Sequence, residues 1–292
     1  MHEVHIYLDN PKTGIHHIAR SFEHIDLSLN EDINVNVYHT RNYGINVEVF
    51  PILCSIINEL RAKGTTVNLN FELPPGCHQL SYASRMDFLM TLGLEYEYNK
   101  KRHNGSSRFI EIQKVRPGAH GYDGDLAAVL QNNLKMTADE AYDPAFMLSE
   151  LICNMGIHSN SENGAYIYCQ GYPNRGLVEM HIADSGIGVT NSMRKNEKYK
   201  NSCDSDLLNL ALQFGEGSGE GRGHGLYFVS EFLRRNKGYF HILSGSKGII
   251  IDNGVESEYK IQNYQGTVIH LRIPIQCGIR VDAIMDEQGY EL

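Results

Sequence analysis

Hydrophobic and polar positions alternate along Ile33-Asn-Val-Asn-Val-Tyr38, the period-two pattern of a half-buried strand. From Val49 to Lys63 the period lengthens. Apolar residues at 49, 52, 53, 56, 57 and 60 line one helix face, with Pro51 in the first turn and Gly64 as the stop. Thr65 to Phe71 returns to strand character, Arg85 to Gly93 reads as a short helix closed by glycine, and Arg108 to Val115 alternates again. This order predicts a small sheet with helices packed on it across residues 1–118. Arg116-Pro-Gly-Ala-His-Gly-Tyr-Asp-Gly124, rich in Gly and Pro, reads as a linker.

Beyond the linker the pattern predicts a second α/β unit over 119–276. Asp143-Pro144 reads as a helix start, and Leu148, Leu151, Ile152 and Met155 form the apolar stripe of that helix. Glu150, Asn154 and His158, spaced four apart, share a neighbouring polar face. Leu177 to Asp184 is a strand ending in a carboxylate, followed by the glycine turn Gly186-Ile-Gly188. Thr190 to Arg222 is polar and Gly-rich, the composition of a functional lid, with a short helix expected from Asp204 to Phe214. Gly221-Arg-Gly223-His-Gly225-Leu226 then opens into a helix whose buried face is Leu226, Val229, Phe232 and Leu233. Residues 277–292 form a tail of no clear pattern.

Composition narrows the chemistry. A length of 292 residues, 41% hydrophobic and 21% charged, is that of an ordinary globular protein of about two domains. The net charge of -9 argues against nucleic acid as the main ligand, since phosphate backbones need a basic surface. Lys100-Lys-Arg102 is a single short basic cluster. No apolar run approaches the roughly 18 residues of a membrane span. Met1-His-Glu-Val lacks the basic-then-apolar opening of a secretory signal. Six cysteines without a Cys-x-x-Cys pair fit a reducing cytosol, so a cytoplasmic location is expected. Fourteen histidines are scattered, and the adjacent pair His16-His17 reads as surface polarity, because no partner shows ligand spacing.

Taken in order, Glu150-Leu-Ile-Cys-Asn154, Asp184-Ser-Gly186-Ile-Gly188 and Gly221-Arg-Gly223-His-Gly225-Leu226 resemble three signatures of one superfamily. It is the GHKL superfamily, whose ATP-binding domain, the Bergerat fold, is shared by DNA gyrase, the ninety-kilodalton heat-shock chaperone, histidine kinases and MutL. The resemblance implies an α/β sandwich with helices on one face of a mixed sheet, and ATP with Mg²⁺ as ligands. It implies that Asp184 accepts a hydrogen bond from the adenine amine and that Gly186 and Gly188 let the backbone approach the purine. Asn154 would ligate Mg²⁺ and Glu150 would orient or deprotonate the nucleophile. Backbone N–H groups of Gly221, Gly223, His224, Gly225 and Leu226 would meet phosphate oxygens, with His224 standing where relatives often carry Leu. Gly266-Thr267-Val-Ile-His-Leu-Arg-Ile-Pro274 resembles the closing strand, with Thr267 holding a water near the adenine. His158 is expected to be a structural or rim residue.

Val35 to Leu92 resembles the STAS domain of anti-anti-sigma factors through its long helix, the strand after Gly64 and Arg85-Met-Asp-Phe-Leu…Leu-Gly93. Where such domains often carry a phosphorylatable Ser or Thr, this chain reads Asn46-Val-Glu-Val-Phe-Pro51, and the nearest hydroxyl is Ser55 inside the helix. A degenerate scaffold or partner-binding domain is therefore expected. Glu rather than Asn at position 150, and no dimerisation helix with a phosphoacceptor His, set the chain apart from sensor histidine kinases. The chain also ends soon after Pro274, so the lysine-supplying domain of gyrase and MutL is not expected. A regulatory ATPase or anti-sigma-like serine/threonine kinase follows. The alternative is a nucleotide-gated interaction switch with little turnover. The expected partner is a STAS-type or other regulatory protein; no nucleic acid or membrane is expected, and a homodimer is left open.

Overall fold

The computed structural model describes residues 2–8, 14–25, 32–39, 47–72, 78–94, 108–116, 121–161, 163–219 and 224–290. Within them the chain is an α/β protein of ten α-helices and two sheets. The first sheet is parallel, in the order β1 (His2–Tyr7), β2 (Ile33–Tyr38), β3 (Val67–Glu72). Crossovers through α1 (Ile15–Ser21) and α2 (Val49–Ala62) make that direction possible. Alternation along β2 sends Ile33, Val35 and Val37 inward, while Asn34 and Asn36 face out and accept hydrogen bonds from Asn68 and Asn70.

Two short helices follow, α3 (His78–Arg85) and α4 (Phe88–Thr91), and Gly93 ends the second at φ +74°. The next strand, β4 (Phe109–Val115), corrects the expectation from sequence. It joins the second sheet, pairing antiparallel with β5 (Ala165–Tyr172), so the seam between the sheets precedes residue 109. That sheet runs β4-β5-β6-β8-β7, with β6 (Leu177–Asp184), β7 (Tyr239–Asp252) and β8 (Val255–Pro274). Every pairing in it is antiparallel, so it is not the mixed sheet expected.

Each face of the second sheet is covered. Val178, Met180 and Ile182 of β6 meet α5 (Tyr122–Leu134), α6 (Ala138–His158) and α9 (Gly225–Arg235) in one cluster. Tyr166, Tyr168, Ala183 and Val268 point the other way, into a cluster shared with α1, α2 and the parallel sheet. The two predicted units therefore share the latter cluster, the core between the two sheets. A sandwiched helix must be apolar nearly all round, and α2 is: Phe50, Pro51, Cys54 and Ser55 are buried along with the expected stripe.

Three local expectations are corrected. Helix α6 starts at Thr137, whose hydroxyl accepts from the Glu140 N–H at 3.3 Å while the Glu140 carboxylate accepts from the Thr137 N–H at 2.8 Å. Pro144 therefore sits inside the helix, where it forfeits one backbone bond. The helix expected to reach Phe214 is α8 (Asp204–Leu210). The tail forms α10 (Val281–Glu287), whose Val281, Ile284 and Met285 are buried in the second core.

Candidate functional site

A cavity of about 490 Å³ opens between α6, α9 and the helix-covered face of the second sheet. That lies inside the range of about 300–1,000 Å³ common for small-molecule sites. Glu150, Asn154, Asp184, Gly188, His224, Gly225, Leu226 and Thr267 all line it. Segments more than a hundred residues apart in sequence thus converge on one space. Gly186 stands behind the lining, and Gly221 and Gly223 lie outside the described residues, as does the side chain of His158.

Asp184 forms the floor. Strand β6 carries it inward and it is 1% exposed. Burial pushes its carboxyl up from 3.8 to about 7, against the lowering effect of the Gly186 N–H and of the N–H and hydroxyl of Thr267. Nearby Glu59 raises it further. The Gly186 N–H donates to Asp184 Oδ1 at 2.9 Å. Both glycines after Asp184 are sterically required. A Cβ on Gly186 would overlap the Ser159 carbonyl, whose oxygen accepts from the Ile187 N–H at 2.7 Å. Gly188 has φ +77°, and a Cβ there would stand 2.5 Å from the Gly266 carbonyl oxygen.

Thr267 lies directly opposite Asp184 in the β6–β8 register. The Val189 N–H donates to Thr267 Oγ1 at 3.1 Å and to Ser244 Oγ at 3.0 Å, which fixes the first turn of α7 (Gly188–Met193) over the floor. Met155, Val189, Met193, Phe228 and Ile269 supply apolar wall between these polar groups.

One helix face of α6 offers oxygen donors at the rim, with Glu150 exposed and Asn154 half-buried. Gly225 lets the start of α9 approach them, since a Cβ there would lie 3.3 Å from Asn154 Nδ2. Helix α9 has no side-chain cap at His224, so its first N–H groups are free of that competitor. The His224 ring instead stacks on Phe214 at 4.3 Å, meets the edge of Tyr290 at 4.8 Å, and its Nδ1 accepts from the Gly215 N–H at 3.2 Å. It ties the end of the lid to the helix.

The lid is more ordered than its composition predicted. Helices α7 and α8 and the turn at Glu197–Tyr199 enclose a small cluster of Met193, Tyr199, Leu207 and Ala211. Arg194 bonds Asp204 at 2.5 Å across it. Residues 220–223 lie outside the described residues. The lining contributed by Met285 and Tyr290 was missed in the sequence, although Val281, Ile284 and Met285 carry a readable helical period.

Comparison with protein-family models, with curated proteins and with solved structures finds no match to this chain. Among the described residues no helix is long and apolar enough to cross a membrane.

Proposed function

We propose that the chain is a Mg²⁺-dependent ATP-binding protein of the GHKL type, with a Bergerat-like second unit and a STAS-like first unit that serves regulation or partner binding. The observation that carries this reading is convergence. Three sequence segments singled out by their residue types line one cavity, together with Thr267. Asp184 offers a buried acceptor that suits the adenine amine and repels the oxygen guanine presents there, a difference of roughly 1.5–3 kcal/mol. The amide oxygen of Asn154 and the carboxylate of Glu150 form a hard donor set that fits Mg²⁺, which prefers oxygen and keeps several waters. Asn154 would hold the ion, which neutralises phosphate charge when bound. Glu150 would take the proton of the attacking water or hydroxyl. The start of α9 would receive phosphate oxygens, aided by the helix dipole.

This supports a regulatory ATPase or serine/threonine kinase acting in the cytoplasm, with a STAS-type or other regulatory protein as partner. A second reading, a nucleotide-gated switch with little turnover, is favoured by the hydrogen bonds that join α2 to the back of the site. Ser161 Oγ donates to Glu59 Oε2 at 2.7 Å and Asn163 Nδ2 donates to the same oxygen at 3.1 Å. Calorimetric titration with ATP, ADP and GTP, with and without Mg²⁺, tests the site, and a product assay on the same samples separates the readings. Adenine preference should vanish in Asp184→Ala and metal-dependent affinity in Asn154→Ala. Unchanged ATP affinity in both variants would overturn the assignment. Phosphate transfer to a STAS-type protein marks a kinase, release of free phosphate an ATPase, and tight binding with neither a switch.

A further inference from the structure

The opposite face of the second sheet, under α1 and α2, carries a second polar cluster unconnected with the cavity. Alternation along the strands puts Glu179 and His181 of β6, His270 and Arg272 of β8 and His241 of β7 on that face. Register places His181, His270 and His241 in one row across three strands, with Glu179 and Arg272 paired in the adjoining row. Four of these side chains are buried: Glu179 is 4% exposed, His181 1%, His241 5% and His270 0%.

Hydrogen bonding accounts for only part of the cluster. Glu179 Oε1 receives His270 Nε2 at 2.8 Å and Arg272 Nε at 2.7 Å. The outer histidine, His241, is satisfied by the Tyr259 hydroxyl at 2.7 Å. Among the described residues neither ring nitrogen of His181 nor Nδ1 of His270 has a hydrogen-bond partner, though each is shut off from solvent. A buried imidazole with two orphaned nitrogens is unfavourable unless something else engages them. Glu179, His181 and His270 each present one ligand atom, and the three atoms lie within 4.8 Å of one another.

We propose that Glu179, His181 and His270 bind a first-row transition-metal dication, best matched by zinc, which fastens the first unit to the second sheet. Two imidazoles and a carboxylate suit such an ion. Bonds of about 2.0–2.2 Å in tetrahedral array set ligand atoms about 3.3 Å apart. The separations from Glu179 Oε1, 2.8 Å to His270 Nε2 and 4.0 Å to His181 Nε2, straddle that value. Small side-chain rotations on adjacent strands would close the set, and water would complete it. One supporting partner is already in place and a second stands close by. Arg272 braces Glu179 and also bonds Glu48 at 2.9 Å, while Glu48 Oε1 stands 3.8 Å from His270 Nδ1. A carboxylate behind a ligating histidine is the usual outer arrangement of such sites. Glu48 stands at the start of α2, so a hydrogen bond from His270 Nδ1 to its carboxylate would link the ion on β6 and β8 to that helix.

The test uses the full chain, refolded from urea with excess Zn²⁺ or Co²⁺ because the cluster is closed, then gel-filtered and analysed by plasma mass spectrometry. We expect about one bound ion per chain, a visible Co²⁺ spectrum of nitrogen–oxygen ligation and a lower melting temperature after chelation. His181→Phe keeps the ring stacked on His270 and removes the ligand, and Glu179→Gln provides a second variant. Both should lose the ion, whereas His16→Ala/His17→Ala should retain it. No retained metal in the wild-type chain, or equal retention in His181→Phe and Glu179→Gln, would overturn the proposal. Nucleotide affinity plays no part in these readouts, so the result stands apart from the fate of the cavity assignment.

Discussion

Ser55 Oγ and Ser185 Oγ lie 2.7 Å apart in a buried hydrogen bond between α2 and the residue that follows Asp184. The first unit thus touches the strand end that carries the cavity floor. Tyr264 reinforces the junction, its hydroxyl donating to the Asp184 carbonyl at 2.9 Å.

Ser55→Ala removes one partner and leaves Ser185 buried. The expected loss is about 0.5–1.5 kcal/mol of stability, the net contribution of one hydrogen bond, since the Tyr264 hydroxyl also bonds Ser185. Urea unfolding checks it. If the bond also transmits nucleotide binding, the stabilisation that ATP confers should shrink in the variant.

Gly186→Ala should be far worse than its one added methyl suggests. The new Cβ meets the backbone carbonyl of Ser159, which cannot swing aside without breaking its bond to the Ile187 N–H. Overpacking of this kind costs about 1–3 kcal/mol. A thermal melt indistinguishable from that of the unmodified chain would count against the tight turn described.

Asp184 should make stability fall as pH rises. Its folded carboxyl titrates near 7, above its ordinary 3.8, because burial disfavours the charge. Below 3.8 both folded and unfolded chains hold the proton and the residue is neutral to stability. Between 3.8 and 7 the unfolded chain releases it first, so the folded state loses ground, and above 7 the full penalty remains. Every tenfold difference in proton affinity between the two states corresponds to about 1.4 kcal/mol. Unfolding free energies of Asp184→Asn relative to the unmodified chain, measured from about pH 4 to about pH 8, should diverge in that direction. Adenine-nucleotide affinity should move oppositely, strengthening as the carboxylate forms.

Glu150→Gln should leave ATP affinity nearly intact while lowering turnover by about 10²–10⁴, the range for losing a general base. Steady-state phosphate release beside calorimetry separates the two effects. Equal losses of binding and turnover would assign Glu150 to ligand binding.

Removing residues 277–292 should weaken nucleotide binding, because Tyr290 braces the His224 ring and Met285 lines the cavity. Titration of the shortened chain with ATP gives the answer. Tyr290→Ala isolates the ring contact from the loss of α10.

Much was legible in the chain itself. The period-two run at Ile33–Tyr38, the stripe from Val49 and the strand into Asp184 all appear where local pattern put them. In these elements side-chain direction repeats with backbone geometry, so burial of one face writes itself into the sequence. Spacing on one helix face, a strand ending in a carboxylate before a glycine turn, and the superfamily resemblance also marked Glu150, Asn154, Asp184 and Gly188, whereas the burial of Asp184 and the left-handed φ of Gly188 came only with the structure. The third dimension decided what pairs with what. Only strand pairing moved β4 into the second sheet, and only the stacking of two sheets explains why α2 is buried on both sides. The row of histidines is likewise invisible along the chain, since 181, 241 and 270 become neighbours solely through register. Periodicity is a local property of a few consecutive residues, whereas partners and enclosed spaces depend on contacts whose sequence separation no local pattern encodes.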